Sequence, residues 1–428
     1  MTVYPTYKDS GIEWLGQIPT HWDLLRNKIF ITEHDNVVGQ DAYKYTLLSL
    51  TKQGVIQRDI ESGKGKFPKE FDNYKIVESG NIIFCLFDVD ETPRTVGLSS
   101  IDGMITGAYN VFSIKGINSQ FYYYYFLAVD EAKALRPLYS GLRKVVKTER
   151  FAGLRIPVPP EEEQRQIVAY LDYKSNKINE RICQREIELQ TLSELKQAEI
   201  AAVVTRGLDP NVPMKESGIE WIGQIPAHWE IKYLSQIAEE HYISNKDVHH
   251  QNLLSLSYGR IVRKDINTTE GLLPASFDTY QVIEKGNIIL RLTDLQNDHK
   301  SLRIGLVTEE GIITSAYICI QSRRAVLPEY LYLLLHSYDI CKVFYGMGGG
   351  LRQSLSYADI KRIPIIIPAI SEQVEIIKHI NAKTKNIDIY MESLKKEIEL
   401  LQEYKQRLIS DVVTGKVDVR GVEIPNEE

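Results

Sequence analysis

Residues 346–352 read GMGGGLR, and a glycine-rich run of this kind cradles phosphates when a Lys-Ser/Thr pair and a helix follow it. Neither follows here, so the run reads as a loop carrying Arg352 at its tip, with Gln353 and Ser354 behind it. The first half of the chain has a counterpart, SGLRKVVK at 140–147, whose Arg143, Lys144 and Lys147 are joined by Arg150. Glycine admits close backbone approach to a ligand, these cations suit phosphates, and the Arg fork matches O6 and N7 of guanine. The two loops are therefore the primary candidates for nucleic-acid contact. Lys64, Lys66 and Lys69 in a further Gly-rich loop, the group Arg260, Arg263 and Lys264, and Arg303 are secondary candidates, as solvated charges or phosphate anchors rather than base readers.

Other residues that invite a chemical reading favour a structural one. The run FYYYYF at 121–126 has the look of a base-stacking platform, but its counterpart in the second half, EYLYLLLHSY at 329–338, is mostly Leu, which predicts an amphipathic helix packed on a sheet. His21 and His228 have no second His or Cys nearby to complete a metal site. Cys85, Cys183, Cys319 and Cys341 show no C-x-x-C spacing, so a zinc site and a disulfide framework are not indicated and all four read as buried thiols. There is no P-loop, no G-x-G-x-x-G, no H-E-x-x-H and no Asn-Pro-Pro-aromatic run, so the chain is expected to hold no catalytic, cofactor or metal centre of its own. The formal net charge of -6 argues against a basic nucleic-acid footprint, but the acidity is concentrated in two long charged segments and leaves the rest near neutral.

The elements that must position these loops come in two copies. GIEWLGQIPTHW at 11–22 returns as GIEWIGQIPAHW at 218–229, identical at ten of twelve positions. The match continues through LLSL (47–50 and 253–256), FDNYKIVESGNIIF (71–84) with FDTYQVIEKGNIIL (277–290), ITGAY (105–109) with ITSAY (313–317), and GLR (141–143 and 350–352). A period this long duplicates a whole domain rather than a solenoid unit. Each half reads as a mixed α/β domain, and Trp14, Trp22, Trp221 and Trp229 are expected to clamp each domain to a long helix.

Those helices follow the Pro-rich stops RIPVPP (155–160) and RIPIIIP (362–368), since proline opens helices well. Neither Pro nor Gly occurs from 161 to 205 or from 371 to 414. Ile380, Ile387, Leu394, Leu401 and Leu408 recur every seven residues, with Met391, Ile398 and Val412 between them, which is a heptad seam. A weaker seam runs through Leu171, Ile178, Ile182, Leu189, Leu192 and Val203, interrupted by Arg185 and Lys196. Each helix alone would leave its apolar stripe in water, so the two are expected to pair as an antiparallel coiled coil. Gly207 and Gly415 are the expected helix stops. The boundaries read as 1–158 and 208–368 for the domains, 159–207 and 369–418 for the helices, and 419–428 for a tail.

This order of parts resembles the specificity subunit of type I restriction-modification systems. The residues that carry the likeness are the duplicated W-(L/I)-G-Q-I-P-x-H-W (14–22 and 221–229), G-N-I-I (80–83 and 286–289), and the I-P stops followed by Glu163-Gln164 and Glu372-Gln373. The resemblance implies two target recognition domains, each reading one half of a bipartite asymmetric site in double-stranded DNA. It implies helices that set the spacing and dock two methyltransferase subunits, with restriction subunits as a further option. S-adenosylmethionine, ATP and magnesium are then expected in the partner chains.

A rival reading of another class is a non-catalytic assembly scaffold whose two repeated domains bind protein; a self-sufficient nuclease is disfavoured by the missing catalytic residues. No apolar run reaches membrane-spanning length and the first residues lack a signal-peptide profile, which places the protein in the cytoplasm.

Overall fold

The computed structural model describes residues 2–58, 70–141, 144–246, 250–266, 276–298, 301–347 and 354–425. Contacts divide the chain into two compact units, Met1–Glu186 with Lys396–Glu428, and Ile187–Lys395. Each unit holds one globular half together with part of both long helices.

The first unit is built on a four-stranded antiparallel sheet. Its strands are β1 (Ile31–His34), β2 (Ile82–Phe84), β3 (Val96–Leu98) and β4 (Asn110–Ile114), in the order β1-β4-β2-β3. Val111 stands opposite both His34 and Ile83, and Ile83 opposite Gly97. Helix α1 (Ser119–Glu131) covers one face, its first turn capped by the Asn118 side chain, which accepts from the backbone of Gln120 and Phe121. The expectation that FYYYYF is core is met: Phe121, Tyr122, Tyr124, Tyr125 and Phe126 are buried, and Phe126 meets Phe84 edge-on with ring centres 5.1 Å apart. Then comes the long helix α2 (Glu161–Arg206).

The second unit repeats the plan with β5 (Ala238–Glu240), β6 (Ile288–Leu290), β7 (Ile304–Leu306) and β8 (Ile318–Ser322), in the order β5-β8-β6-β7. Helix α3 (Pro328–Ile340) covers this sheet and the long helix α4 (Ile370–Val413) follows.

Two repeated glycine positions explain themselves sterically. Gly97 and Gly305 sit where a Cβ would come within 2.6 Å of Leu50 and 2.5 Å of Leu256, because the hairpins 48–57 and 254–263 lie directly on the third strand. The repeated LLSL run therefore supplies a hairpin strand that closes a second, smaller core on the sheet's other face.

The heptad positions face inward. Ile178, Ile182, Leu401 and Leu408 join the first unit's core, Ile380 joins the second with Ile200, Val203 and Val204, Leu394 is buried, and Leu189, Leu192 and Ile387 are half-buried. The interruptions in the weaker seam have acidic counterparts on the other helix: Arg185 Nε lies 3.0 Å from Glu397 in the first unit, and Lys196 Nζ lies 2.5 Å from Asp388 in the second. Gly207 and Gly415 end the helices in the left-handed conformation, with φ of +75° and +76°. No helix among the described residues is long and apolar enough to cross a membrane.

Candidate DNA-recognition site

The frame is built around the Glu-Gln pair that opens each long helix. Glu163 is buried; its carboxylate accepts from the Trp22 indole Nε1 at 2.9 Å and the Tyr4 hydroxyl at 2.6 Å, and its second oxygen lies 2.7 Å from His21 Nε2. A carboxylate in the first helical turn also faces the positive end of the helix dipole. Burial and this carboxylate together push the Tyr4 phenol far above its usual pKa. Gln164 donates to the Pro159 carbonyl and accepts from the Asn118 backbone N–H, fixing the start of α1 as well.

The second unit repeats the Trp, His and Gln contacts, without a counterpart of Tyr4 and with Glu372 half-buried. Glu372 accepts from Trp229 Nε1 at 3.0 Å and pairs with His228, while Gln373 donates to the Pro368 carbonyl and accepts from the Leu327 N–H. The two His are thus carboxylate partners, and among the described residues no group of His, Cys, Asp and Glu could hold a metal ion. The clamp expected of four Trp is made by Trp22 and Trp229; Trp14 and Trp221 pack instead on Tyr125 and Tyr338.

Each frame presents a turn at the end of the central strand. In the first unit Asp88 takes a left-handed φ of +46°, and its carbonyl accepts from the N–H groups of Glu91 and Thr92. Lys133 grips the turn from α1's end, donating to the carbonyls of Val89 and Thr92 and to Asp130. In the second unit Asp294 adopts φ of +56° at the matching place, but the cation comes from β7's start. Arg303 is fully buried; it donates to the carbonyls of Arg291, Thr293, Asp294 and Asp298 and to the Tyr345 hydroxyl. Buried Asp130 and Asp339 complete the match, each accepting from the N–H that begins the third strand, Thr95 and Arg303 respectively.

The described residues that flank the loops singled out for contact sit beside these turns. In the first unit a hairpin of Tyr139–Ser140 and Val145–Val146 is tied to the turn by Asp90, which accepts from Arg136 at 2.7 Å and Tyr139 at 3.0 Å and lies 3.5 Å from Lys144. The hydrogen bond from Arg136 leads the interactions that hold the Asp90 carboxyl below its usual pKa. Lys144 also faces Glu91 at 3.5 Å, so its charge is matched within the protein. Lys147 is exposed, and Arg150 is exposed while donating to the Leu138 carbonyl. In the second unit Ser354 is exposed, and Leu355 N–H donates to the Leu292 carbonyl as Val146 does to Leu86.

Arg143, Arg352, Gln353, Lys64, Lys66 and Lys69 lie outside the described residues. Arg260 and Arg263 on a separate hairpin strand, and Lys264 just beyond it, are exposed; Arg263 is engaged by Glu309 and Arg260 lies 4.0 Å from Asp388. Arg303 is the clear correction: it is no solvated charge or phosphate anchor, because its guanidinium is spent on carbonyls inside the fold. Cys85 and Cys319 are buried as expected, and burial raises both thiols, Cys319 to about 12, but Cys183 and Cys341 are exposed.

The family model for the type I restriction modification DNA specificity domain matches this chain twice, over residues 39–190 and 229–400. The chain belongs to that family. The chain is 22% identical over 432 residues to the type I restriction enzyme MjaX specificity subunit of Methanocaldococcus jannaschii, covering 95% of this chain and 96% of that one. It is 25% identical over 287 residues to the MjaVIII specificity subunit of the same organism, covering 64% of each. A solved chain described in work on complex assembly and conformational transition of the type I restriction-modification system has the same fold, with a TM-score of 0.59 at 12% identity, covering 92% of this chain and 98% of that one. Specificity subunits are the non-catalytic component of such systems.

Proposed function

We propose that this chain is the DNA-reading subunit of a type I restriction-modification complex, with each unit reading one half of a split, asymmetric site. One observation carries the reading: the same Trp-His-carboxylate contacts around Glu163 and Glu372 frame units whose turns and loops differ in sequence between the copies. Equal frames hold two readers in equivalent roles, and unequal loops give them different half-sites.

In this account the long helices pair as an antiparallel coiled coil and set the spacer between half-sites. Supporting it, partners on the two helices run in opposite order: Arg181 with Glu397 and Asn179 with Lys405 in the first unit, Glu188 with Tyr390 and Glu199 with Lys383 in the second. The helices also dock two methyltransferase subunits and, where the host has them, restriction subunits. Methyl transfer from S-adenosylmethionine and magnesium- and ATP-dependent cleavage belong to those partners.

A gel shift with the partner subunits tests the reading against a pure protein scaffold. A reader shows sequence-dependent affinity that falls steeply with salt, whereas a scaffold shows none.

A further inference from the structure

The turn 294–298 is a built contact element rather than a passive connection. Leu295 anchors it, fully buried in the second unit's core, as Val89 anchors the matching turn 88–92. Arg303 holds its backbone from beneath, and Asp298 is occupied, its carboxylate accepting from the Ser301 N–H and pairing with Arg291. Between these fixed points Gln296 and Asn297 project as exposed residues. The first unit keeps the frame at the same positions, a left-handed Asp followed by a buried aliphatic residue, but carries Asp90 and Glu91 at the tip. Two homologous turns thus share a left-handed Asp and a buried anchor and differ at the tip, where the first has half-buried Asp90 and exposed Glu91 and the second has exposed Gln296 and Asn297.

Asn297 is oriented for one kind of partner. Its Nδ2 donates to Asp294 Oδ1 at 2.7 Å, which fixes which end of the amide is nitrogen and uses one of its two N–H groups. A primary amide offers its oxygen and the N–H on the same side as an adjacent acceptor and donor, and the Asp294 carboxylate needs only the other N–H. Adenine presents the complementary pair, the N7 acceptor and the N6 amino donor, on its major-groove edge.

We propose that Asn297 reads an adenine in the half-site of the second unit, with left-handed Asp294 as the residue that positions it. The inference rests on the DNA-reading role proposed above and names the residue and the base.

The test uses the full chain assembled with its methyltransferase partners and a duplex containing the mapped site. Replacing the read adenine of the second half-site by 7-deazaadenine removes N7 from the DNA and leaves the protein untouched. Affinity of the natural protein is expected to fall about tenfold, in line with a bidentate contact. N297A, whose side chain supports no core contact, is expected to lose about the same factor on unmodified DNA, to show no further loss with 7-deazaadenine, and to keep the first half-site unchanged. If 7-deazaadenine at every adenine of the second half-site costs nothing, or if N297A remains sensitive to it, the assignment to Asn297 is wrong while the DNA-reading role stands. If the natural complex shows no sequence-dependent binding, it is that role which fails.

Discussion

Trp22 donates its indole N–H to the buried carboxylate of Glu163 at 2.9 Å, at the first turn of the long helix that leaves its unit. The same carboxylate holds the Tyr4 hydroxyl, so Glu163→Ala leaves two buried donors without a partner. Such groups cost about 1–3 kcal/mol each, and a loss of about 3 kcal/mol is expected for the first unit. Glu163→Gln keeps an acceptor oxygen and should lose markedly less. Denaturant midpoints of the two variants check the order; equal losses would show that the hydrogen bonds are not what matters.

Gly415 approaches Trp22 from the end of the other long helix. A Cβ there would lie 2.3 Å from Pro19 Cδ, and its φ is +76°, so Gly415→Ala combines strain with a clash against a rigid ring. Gly16, at φ of +66° with nothing within 4 Å, isolates the strain alone. Gly415→Ala should lower the melting temperature clearly more than Gly16→Ala. Equal shifts would mean that the contact relaxes freely.

His336 gives the second unit a sensitivity to acid. Burial, with Lys196 adding repulsion, lowers its pKa to about 4, and its Nδ1 has no partner. Gly259 and Tyr332 face it, and Asp339, whose carboxyl is raised by burial, follows one turn later. The folded state binds the proton less tightly than the unfolded one. The contribution is therefore complete above pH 6.5 and is lost as pH falls through about 4, amounting to about 2 kcal/mol at pH 5. Leu127 fills the matching place in the first unit, so His336→Leu should flatten the fall between pH 7 and 5 while leaving the Asp339 contribution in place. Parallel pH profiles for the natural protein and the variant would refute this.

Arg303→Met deprives four part-buried carbonyls of their donor and should destabilise the second unit by about 3 kcal/mol. Arg263→Met, at an exposed ion pair, should change stability by less than about 1 kcal/mol. Urea unfolding separates the two, and similar small effects would mean that Arg303 does not hold the turn.

Legibility in the sequence followed repetition and periodicity. The repeated W-(L/I)-G-Q-I-P-x-H-W and Glu-Gln motifs marked the frame because both copies use the same Trp-to-Glu and Gln-to-backbone hydrogen bonds. The seam from Ile380 to Leu408 was visible because a helix must keep one face apolar to bury it. Arg303 was misread because a buried arginine looks like a surface one until its carbonyl partners, Arg291 to Asp298, are brought together by the fold. The turn holding Asn297 was missed for a related reason: its signal is a kept Asp-(Val/Leu) pair, 88–89 and 294–295, too short to stand out without the strand that precedes it. Lys144 carried a charge as expected, but Asp90 and Glu91, distant by some fifty residues in sequence, were not visible as its partners.

The central claim, two unlike readers in one duplicated frame, is tested most directly by single-molecule mapping of adenine methylation in cells with and without this chain, the partner subunits being present in both. The account predicts that modified adenines appear only with the chain, at one split sequence whose two halves differ. Modification that persists at the same sites without the chain, or a site with two identical halves, would contradict it.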